Sequence, residues 1–516
     1  MSVETIDTPP VPDDRGAQGM SSLPREIFWL ILSYLSPVDI IRCRRVSQLW
    51  NQSFGNPANL VPLLKSSFPF AKEVRELGRE AIAGALLTGD DGIYWRKLFD
   101  RLASRYDHLS RGEPKSIQRY KLSGDFGLSG EREWFQVQPW EIHSSQIMQR
   151  IDRAFQEPFW SYEDGLLVYP SAHDSCLVLL DLESDRRLMV PFIITGKVVR
   201  RVRLQKRVLV VEWAEPKAFH WLNDSDGVHR HFASSFDVIK TASGWSVRFR
   251  NEWKIMFLGH PLSERDRFYS THNQSHYAIY IWQPNRSLYT ADEDAPIESL
   301  SVWDISKPSD YRPSLDPTGH LREEGGDPGP SIITRFGFRE LGFYSVRQRG
   351  QPAIQSLNLS DDNASIDIVE NLHRMPAIDT FDADDWESLV QITSVPITGE
   401  GPCWSRFANQ ILPPYRGNDS LQTKPLTFSL DHEPPYTVIS EAYDEKAKVG
   451  FCLHLSTLIW PFDLPMHLSI RTPSSSTILG PEKVSELAGK GKVCGNERYL
   501  VGENGNNELV IYRFDR

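Results

Sequence analysis

The densest group of side chains able to bind a metal or move a proton is "HWLNDSDGVHRHF", where His220, His229 and His231 stand with Asp224 and Asp226. On a strand His229 and His231 share one face, and two imidazoles with a carboxylate can hold zinc. The stretch also suits a hairpin, because "NDSDG" is turn chemistry and histidines flanking a turn need only water. A calcium loop is excluded: with Gly227 in the glycine place, Leu222 falls at the first ligand position and Ala233 at the twelfth. In "STHNQSH", His272 and His276 stand four apart, but Asn273 and Gln274 replace the glutamate of a helical zinc motif. "AGKGKVCG" has the glycines and lysines of a phosphate loop, yet no Ser or Thr follows either Gly-Lys pair, so it reads as a basic turn. Asp292, Glu293, Asp294 and Glu298 are the residue type a glycoside hydrolase pairs across a sugar, although neighbouring acids on a loop are ordinarily solvated. No GxSxG elbow is present. The five cysteines (Cys43, Cys176, Cys403, Cys452, Cys494) form no CxxC pair, which fits neither a disulfide framework nor a zinc site and suits a reducing compartment. The expectation is therefore no catalytic residue, no metal and no cofactor.

The elements carrying these residues differ between the two ends of the chain. Residues 1–20 read as a disordered acidic, Pro-rich tail, without the basic and apolar regions of a signal peptide. From Leu23 to about Leu122 the periodicity is helical. "LPREIFWLILSYLSPVDIIRCRRVSQLWNQ" contains six consecutive apolar residues, Ile27 to Leu32, and Ile27, Leu30, Ile31, Tyr34 and Leu35 follow helical spacing. Ser21 or Ser22 can cap this first helix; Ser36, Pro37 and Asp39 start a second, and Ser47 leads into a third anchored by Trp50. Three such short helices cannot enclose every apolar side chain between Ile27 and Leu35, so another polypeptide or the helices at 72–109 must cover the remainder. In "RKLFDRLASRYDHLSRG" the basic residues Arg96, Lys97, Arg101 and Arg105, near Tyr94 and Trp95, fit a nucleic-acid contact less well than an amphipathic helix. That helix would turn Trp95, Leu98, Phe99 and Leu102 inward and leave its arginines in water.

Leu23-Pro24, Ile27, "ILSYL", "SPVDI" and "RRVSQLW" together resemble the F-box, a small helical motif, over about thirty residues. In that family the motif docks on the Skp-type adaptor of a cullin–RING (SCF) ubiquitin ligase. The resemblance implies that Leu23, Pro24, Ile27, Ile31, Leu35, Pro37, Ile40, Val46 and Trp50 form the docking surface or its immediate support. Ile40 stands where leucine is commoner, a small change in volume. "FRNEWKIMFLGHPLSERDRFYSTHNQSHYAIYIWQPNRS" and "EDAPIESLSVWDISKPSDYRPSLDPTG" are similar to blocks of fungal F-box proteins with a propeller-like C-terminal half.

After about Trp134 the pattern becomes short β-branched and aromatic runs such as "SCLVLLDL", "RVLVVEW", "HYAIYIWQ" and "ELVIYRFD", separated by turn residues. So many strands exceed one sandwich, and four-stranded blades arranged radially protect most sheet edges. The fold expected is a small all-α part, with the F-box at 21–60 and linker helices at 61–122, followed by an all-β propeller of about six to eight blades over 123–516. Long loops are expected near 314–330 and 375–424. Arg201 and Arg203 alternate with Val202 and Leu204 as an outer strand face would. His220, Trp221, His229, Arg230 and His231 are the candidate substrate-binding loop on the propeller.

The net charge of −11 is uneven: residues 1–22 carry about −3, 23–121 about +6 and the rest about −14. This weighs against nucleic acid as the main partner. No apolar run approaches the ~20 residues of a membrane span. The chain is expected to be soluble and intracellular, and the resemblance implies a non-catalytic substrate receptor that meets cullin and RING subunits through the adaptor and binds an unidentified client with its propeller; the alternatives are an F-box scaffold acting outside a ligase and a propeller enzyme with a regulatory F-box.

Overall fold

The computed structural model describes residues 23–77, 92–123, 159–174, 176–223, 226–255, 262–263, 266–283, 296–317, 329–349, 353–373, 388–397, 405–408, 436–456 and 466–515. The expected tail at 1–20, most of the loop at 375–424 and residues 318–328 of the loop at 314–330 lie outside the described residues.

α1 (Arg25–Tyr34) follows Pro24 without a side-chain cap, and Ser21 and Ser22, expected to cap it, lie outside the described residues; α2 (Pro37–Cys43) is capped by Ser36, whose hydroxyl accepts from the Asp39 amide. Ser47 caps α3 (Gln48–Gly55) and Asn56 caps α4 (Pro57–Ser67) in the same way. A short α5 (Lys72–Arg75) and the twenty-residue α6 (Gly92–Arg111) complete this part. Their shared core joins Phe28, Leu32, Ile40, Phe54, Leu60, Leu64, Trp95, Phe99 and Leu102.

The remaining strands form six four-stranded antiparallel sheets, the blades of a propeller. Blade 1 holds β2 (Ser161–Glu163), β3 (Leu166–Ser171), β4 (Cys176–Asp181) and β5 (Arg186–Met189). Blade 2 holds β6 (Val198–Gln205), β7 (Val208–Ala214), β10 (His231–Thr241) and β11 (Gly244–Ile255), and a two-stranded hairpin, β8 (His220–Asn223) and β9 (Asp226–Val228), is inserted between β7 and β10. Blade 3 comprises β12 (Arg267–His272), β13 (His276–Gln283), β14 (Ile297–Asp304) and β15 (Ser331–Phe336). In blade 4 are β16 (Ile354–Leu359), β17 (Ser365–His373), β18 (Ser388–Pro396) and β19 (Ser405–Ala408). Blade 5 is built from β20 (Tyr436–Asp444), β21 (Val449–Ser456), β22 (Met466–Arg471) and β23 (Ser476–Leu479). Blade 6 takes β24 (Val493–Gly495), β25 (Tyr499–Glu503) and β26 (Glu508–Arg513) from the C-terminus. Its fourth strand is β1 (Ser116–Lys121), paired antiparallel with β26 from Ser116–Arg513 to Lys121–Glu508. Residues 116–121, assigned to the helical linker by periodicity, are thus a propeller strand that closes the ring with the opposite end of the chain.

Stacked blades bury both faces of their middle strands. Every residue of β3 and of β7 is buried, which is why these runs read as continuous apolar stretches and not as alternating ones. Clusters between neighbouring blades make up the core; Leu167, Tyr169, Leu180, Tyr499, Val501 and Ile511 join blades 1 and 6 across the closure. The Trp160 indole donates to Glu503 at 3.0 Å, and Arg513 pairs with Asp185 at the same seam.

Two expectations about arginines are corrected here. Arg105 is fully buried and does not lie in water: it pairs with Glu73 (2.6 Å), Glu497 (3.4 Å) and Asp515 (3.6 Å), the last two from blade 6. Arg201 is buried too, with its guanidinium 2.8 Å from the Ser270 hydroxyl of blade 3. The register of β6 against β7 shifts between Val199 and Arg201, and residues 198–202 of β6 are all buried, so Arg200 and Arg201 both lie inside where a half-exposed strand would leave one in water.

Candidate functional site

Helix α1 is covered on one side only. Phe28 and Leu32 are buried, and the Phe28 ring meets Phe54 edge-on at 5.1 Å. Ile27, Leu30 and Tyr34, on the stripe that also carries Ile31, are 45%, 55% and 83% exposed. Leu23 and Pro24 precede this stripe and are exposed, as are Val46 and Leu49 at the start of α3. Of the residues expected at the docking surface or in its support, Leu23, Pro24, Ile27 and Val46 face outward, Ile31, Leu35, Pro37 and Trp50 are half-buried, and Ile40 belongs to the core. Leu30, Tyr34 and Leu49 add exposed apolar surface outside the expected docking set, although the helical spacing of Leu30 and Tyr34 from Ile27 already marks those two.

Polar contacts hold this frame. The Ser36 hydroxyl donates to Asp39 at 2.6 Å, and with Arg42 at 3.0 Å it keeps the Asp39 carboxyl below its usual range. Arg44 is buried over the Phe99 ring, 5.3 Å from its centroid, and reaches Asp100 at 2.6 Å, tying α2 to α6. Arg96 of α6 donates to the Gly55 carbonyl at 2.8 Å; a Cβ at Gly55 would lie 2.5 Å from that guanidinium.

The helices attach to one end of the propeller. In a four-stranded antiparallel blade, the first and third turns lie at one end, and the second turn and the link to the next blade lie at the other. Lys72 meets Asp164 (3.6 Å) in the first turn of blade 1, and Glu73 meets Arg498 (3.4 Å) in the first turn of blade 6. Arg105 meets Asp515 just beyond β26. The Tyr106 hydroxyl donates to Glu497 at 2.8 Å, whose other oxygen accepts from the Lys72 amide. Burial pushes the Glu73 carboxyl up, but Arg105 with Arg498 overrides it and holds the group down at about 2.

At the far end lie the β8–β9 hairpin and α7 (Phe338–Phe343) between β15 and β16, whereas α8 (Pro481–Leu487), between β23 and β24, packs against the end of α6, with Lys483 donating to the Gly112 carbonyl at 2.9 Å. The five residues expected as a substrate-binding loop divide here. His220 and Trp221 are exposed on β8, and Arg230 is half-buried over the Phe219 ring. His229 and His231 are buried: His229 Nδ1 is 2.8 Å from the Glu215 carbonyl, and His231 Nε2 is 2.7 Å from Arg200. Burial first, then Arg200, drives the His231 pKa well below the ordinary histidine value, so it is a neutral core residue and not part of a surface. Asp224 lies outside the described residues, as do Asp292, Glu293 and Asp294. Glu298 is buried, accepting from Tyr280 and from the backbone amides of Gln348 and Arg349.

The F-box-like family model matches residues 20–59. This chain carries an F-box-like domain. A search of curated proteins found no match. Among solved structures, a chain of a mitotic checkpoint complex is 9% identical, with 75% of this chain and 98% of that one covered and a TM-score of 0.30. A chain of an oligogalacturonate lyase in complex with manganese is also 9% identical, covering 68% and 74% with a TM-score of 0.26. Drosophila Semaphorin 1a, extracellular domains 1-2, is 12% identical, covering 70% and 86% with a TM-score of 0.23. Similarity at these scores carries no functional argument.

Proposed function

We propose that this F-box-like propeller protein is the substrate receptor of an SCF-type ubiquitin ligase, present inside the cell. The observation that carries the proposal is the uncovered apolar stripe of α1, Ile27–Leu30–Tyr34, within an F-box-like domain whose other face is already buried. Covering each of these side chains is worth about 1.5–3 kcal/mol, so the stripe favours a partner helix of an adaptor. Through that adaptor the chain meets cullin and RING subunits, while the propeller holds the client. Chemistry belongs to those partners; the receptor contributes the client's effective concentration and orientation. The contacts of Glu73 and Arg105 with each other and with blade 6 support this division, because they set the docking helix and the propeller in one fixed relation.

The test is co-purification of the full chain with a Skp-type adaptor and cullin, beside Ile27→Asp and Tyr34→Asp. Wild type retaining both partners and the variants losing both is the expected result. Retention of adaptor without cullin overturns the ligase assignment, and unchanged binding by both variants overturns the docking surface.

A further inference from the structure

We propose that α7 and the adjoining end of β15 form a docking site for an acidic protein segment bearing aromatic or aliphatic side chains. The proposal rests on the receptor reading and names the kind of client segment the propeller takes.

Residues 331–349 contain Arg335, Arg339, Arg347 and Arg349 against a single acid, Glu340, in a chain whose net charge is −11. Glu340 is committed locally: its carboxylate accepts from the Gly337 amide at 3.0 Å and starts α7. Arg347 is also committed, 3.7 Å from the buried Glu298 and stacked 4.9 Å over the Phe338 ring. Arg335, Arg339 and Arg349 are exposed, and none forms an ion pair among the described residues. Beside them Ile333 and Phe338 are exposed, and Phe343 is 66% exposed although its ring meets Tyr344 edge-on at 5.1 Å.

Three free guanidinium groups among three exposed apolar side chains match a ligand with both properties. Guanidinium forks pair with carboxylates in a fixed plane, and the rings accept an apolar side chain between them. The Arg347 stack and the Phe343–Tyr344 contact hold the aromatic groups before any ligand arrives, which lowers the ordering cost of binding. Position agrees with this role: α7 links blades 3 and 4 at the end of the propeller away from the helical attachment, so an occupant does not compete with whatever covers α1. A long polyphosphate would meet the repulsion of an acidic body over its whole length, whereas a short acidic segment meets this local basic patch first.

The experiment measures fluorescence anisotropy of labelled synthetic peptides titrated with the full chain. One peptide alternates Asp/Glu with Phe and Leu; others replace its acids with Lys, or its apolar residues with Ser, or carry phosphoserine without apolar residues. The acidic–apolar peptide is expected to bind saturably, and to weaken as salt rises from about 0.05 to 0.5 M. Arg335→Glu with Arg339→Glu and Arg349→Glu should weaken it at least about tenfold, and Phe343→Ser severalfold, with adaptor co-purification unchanged. The milder Arg→Gln triple variant guards against misfolding and should show a smaller loss in the same direction. Equal binding of the Lys peptide, equal binding of the phosphoserine peptide, or unchanged affinity in both triple variants overturns the proposal. Patch-dependent self-association seen by sedimentation overturns it in favour of a second copy. Peptide binding that persists when wild type fails to bind the adaptor refutes the ligase assignment and leaves this site standing.

Discussion

Glu73→Gln is the sharpest probe of the joint between helices and propeller. Glu73 is nearly buried and lies 2.6 Å from Arg105, 3.2 Å from Arg101 and 3.4 Å from Arg498. A carboxyl held at about 2 against an ordinary 4.5 corresponds to about 3 kcal/mol favouring its charged form. Breaking one partner of a buried pair costs a similar ~3–5 kcal/mol, so the two routes agree. The pH dependence follows from the sign of the shift. Between about pH 4.5 and 2 the unfolded chain takes up a proton at Glu73 that the folded chain refuses, so stability contributed by this group is present above 4.5 and lost on descending through that window. Native-state hydrogen exchange of α5 and α6 reads this opening locally. The variant should lose about 3 kcal/mol of protection at neutral pH, and the gap to wild type should close as pH falls below 4.5. A gap below about 1 kcal/mol at neutral pH, or one that stays constant down to pH 2, refutes the claim that this ion network holds the joint.

Three further outcomes are expected. Phe28→Asp should unfold the N-terminal helices by placing a charge in their core at a cost of several kcal/mol, whereas Leu30→Asp on the opposite face should leave the thermal transition within about 0.5 kcal/mol of wild type and lose only the adaptor. In blade 6 a Cβ at Gly502 would run into the Leu487 carbonyl of α8, while Gly505 has open space around it; Gly502→Val should therefore reduce soluble yield sharply and Gly505→Ala should not. His272 is buried and neutral, donating to the Val208 carbonyl (2.9 Å), and burial with the nearby arginines lowers its pKa to about 3. The unfolded chain gains a proton there below about 6.5 that the folded chain refuses, so wild-type stability should fall between pH 6.5 and 3, and His272→Gln should flatten that fall in urea titrations.

The F-box-like helices were legible because caps, prolines and apolar spacing act within a few residues: Ser36, Pro37 and Asp39 start α2 as their chemistry requires. Strands of the propeller were equally visible, from "RVLVVEW" to "ELVIYRFD", which are β7 and β26. Their number per ring was not, because a blade is defined by pairing between segments and the repeat carries little sequence identity. β1 was missed for the same reason; a six-residue strand after a long helix has no local sign that its partner lies at the other end of the chain. His229 and His231 looked like a ligand pair at strand spacing, but blade packing turned both into the interior.

Local chemistry therefore determined the helical start, the strand-rich remainder and the presence of an apolar surplus on α1. Only the tertiary structure decided which half of that surplus is covered, since coverage depends on α3, α4 and α6 arriving from distant positions. It also decided the role of Arg105, whose spacing marks a solvated helix face. Its three carboxylates come from α5, blade 6 and the last residues of the chain, and a charge becomes a buried tie only when such distant partners fold around it.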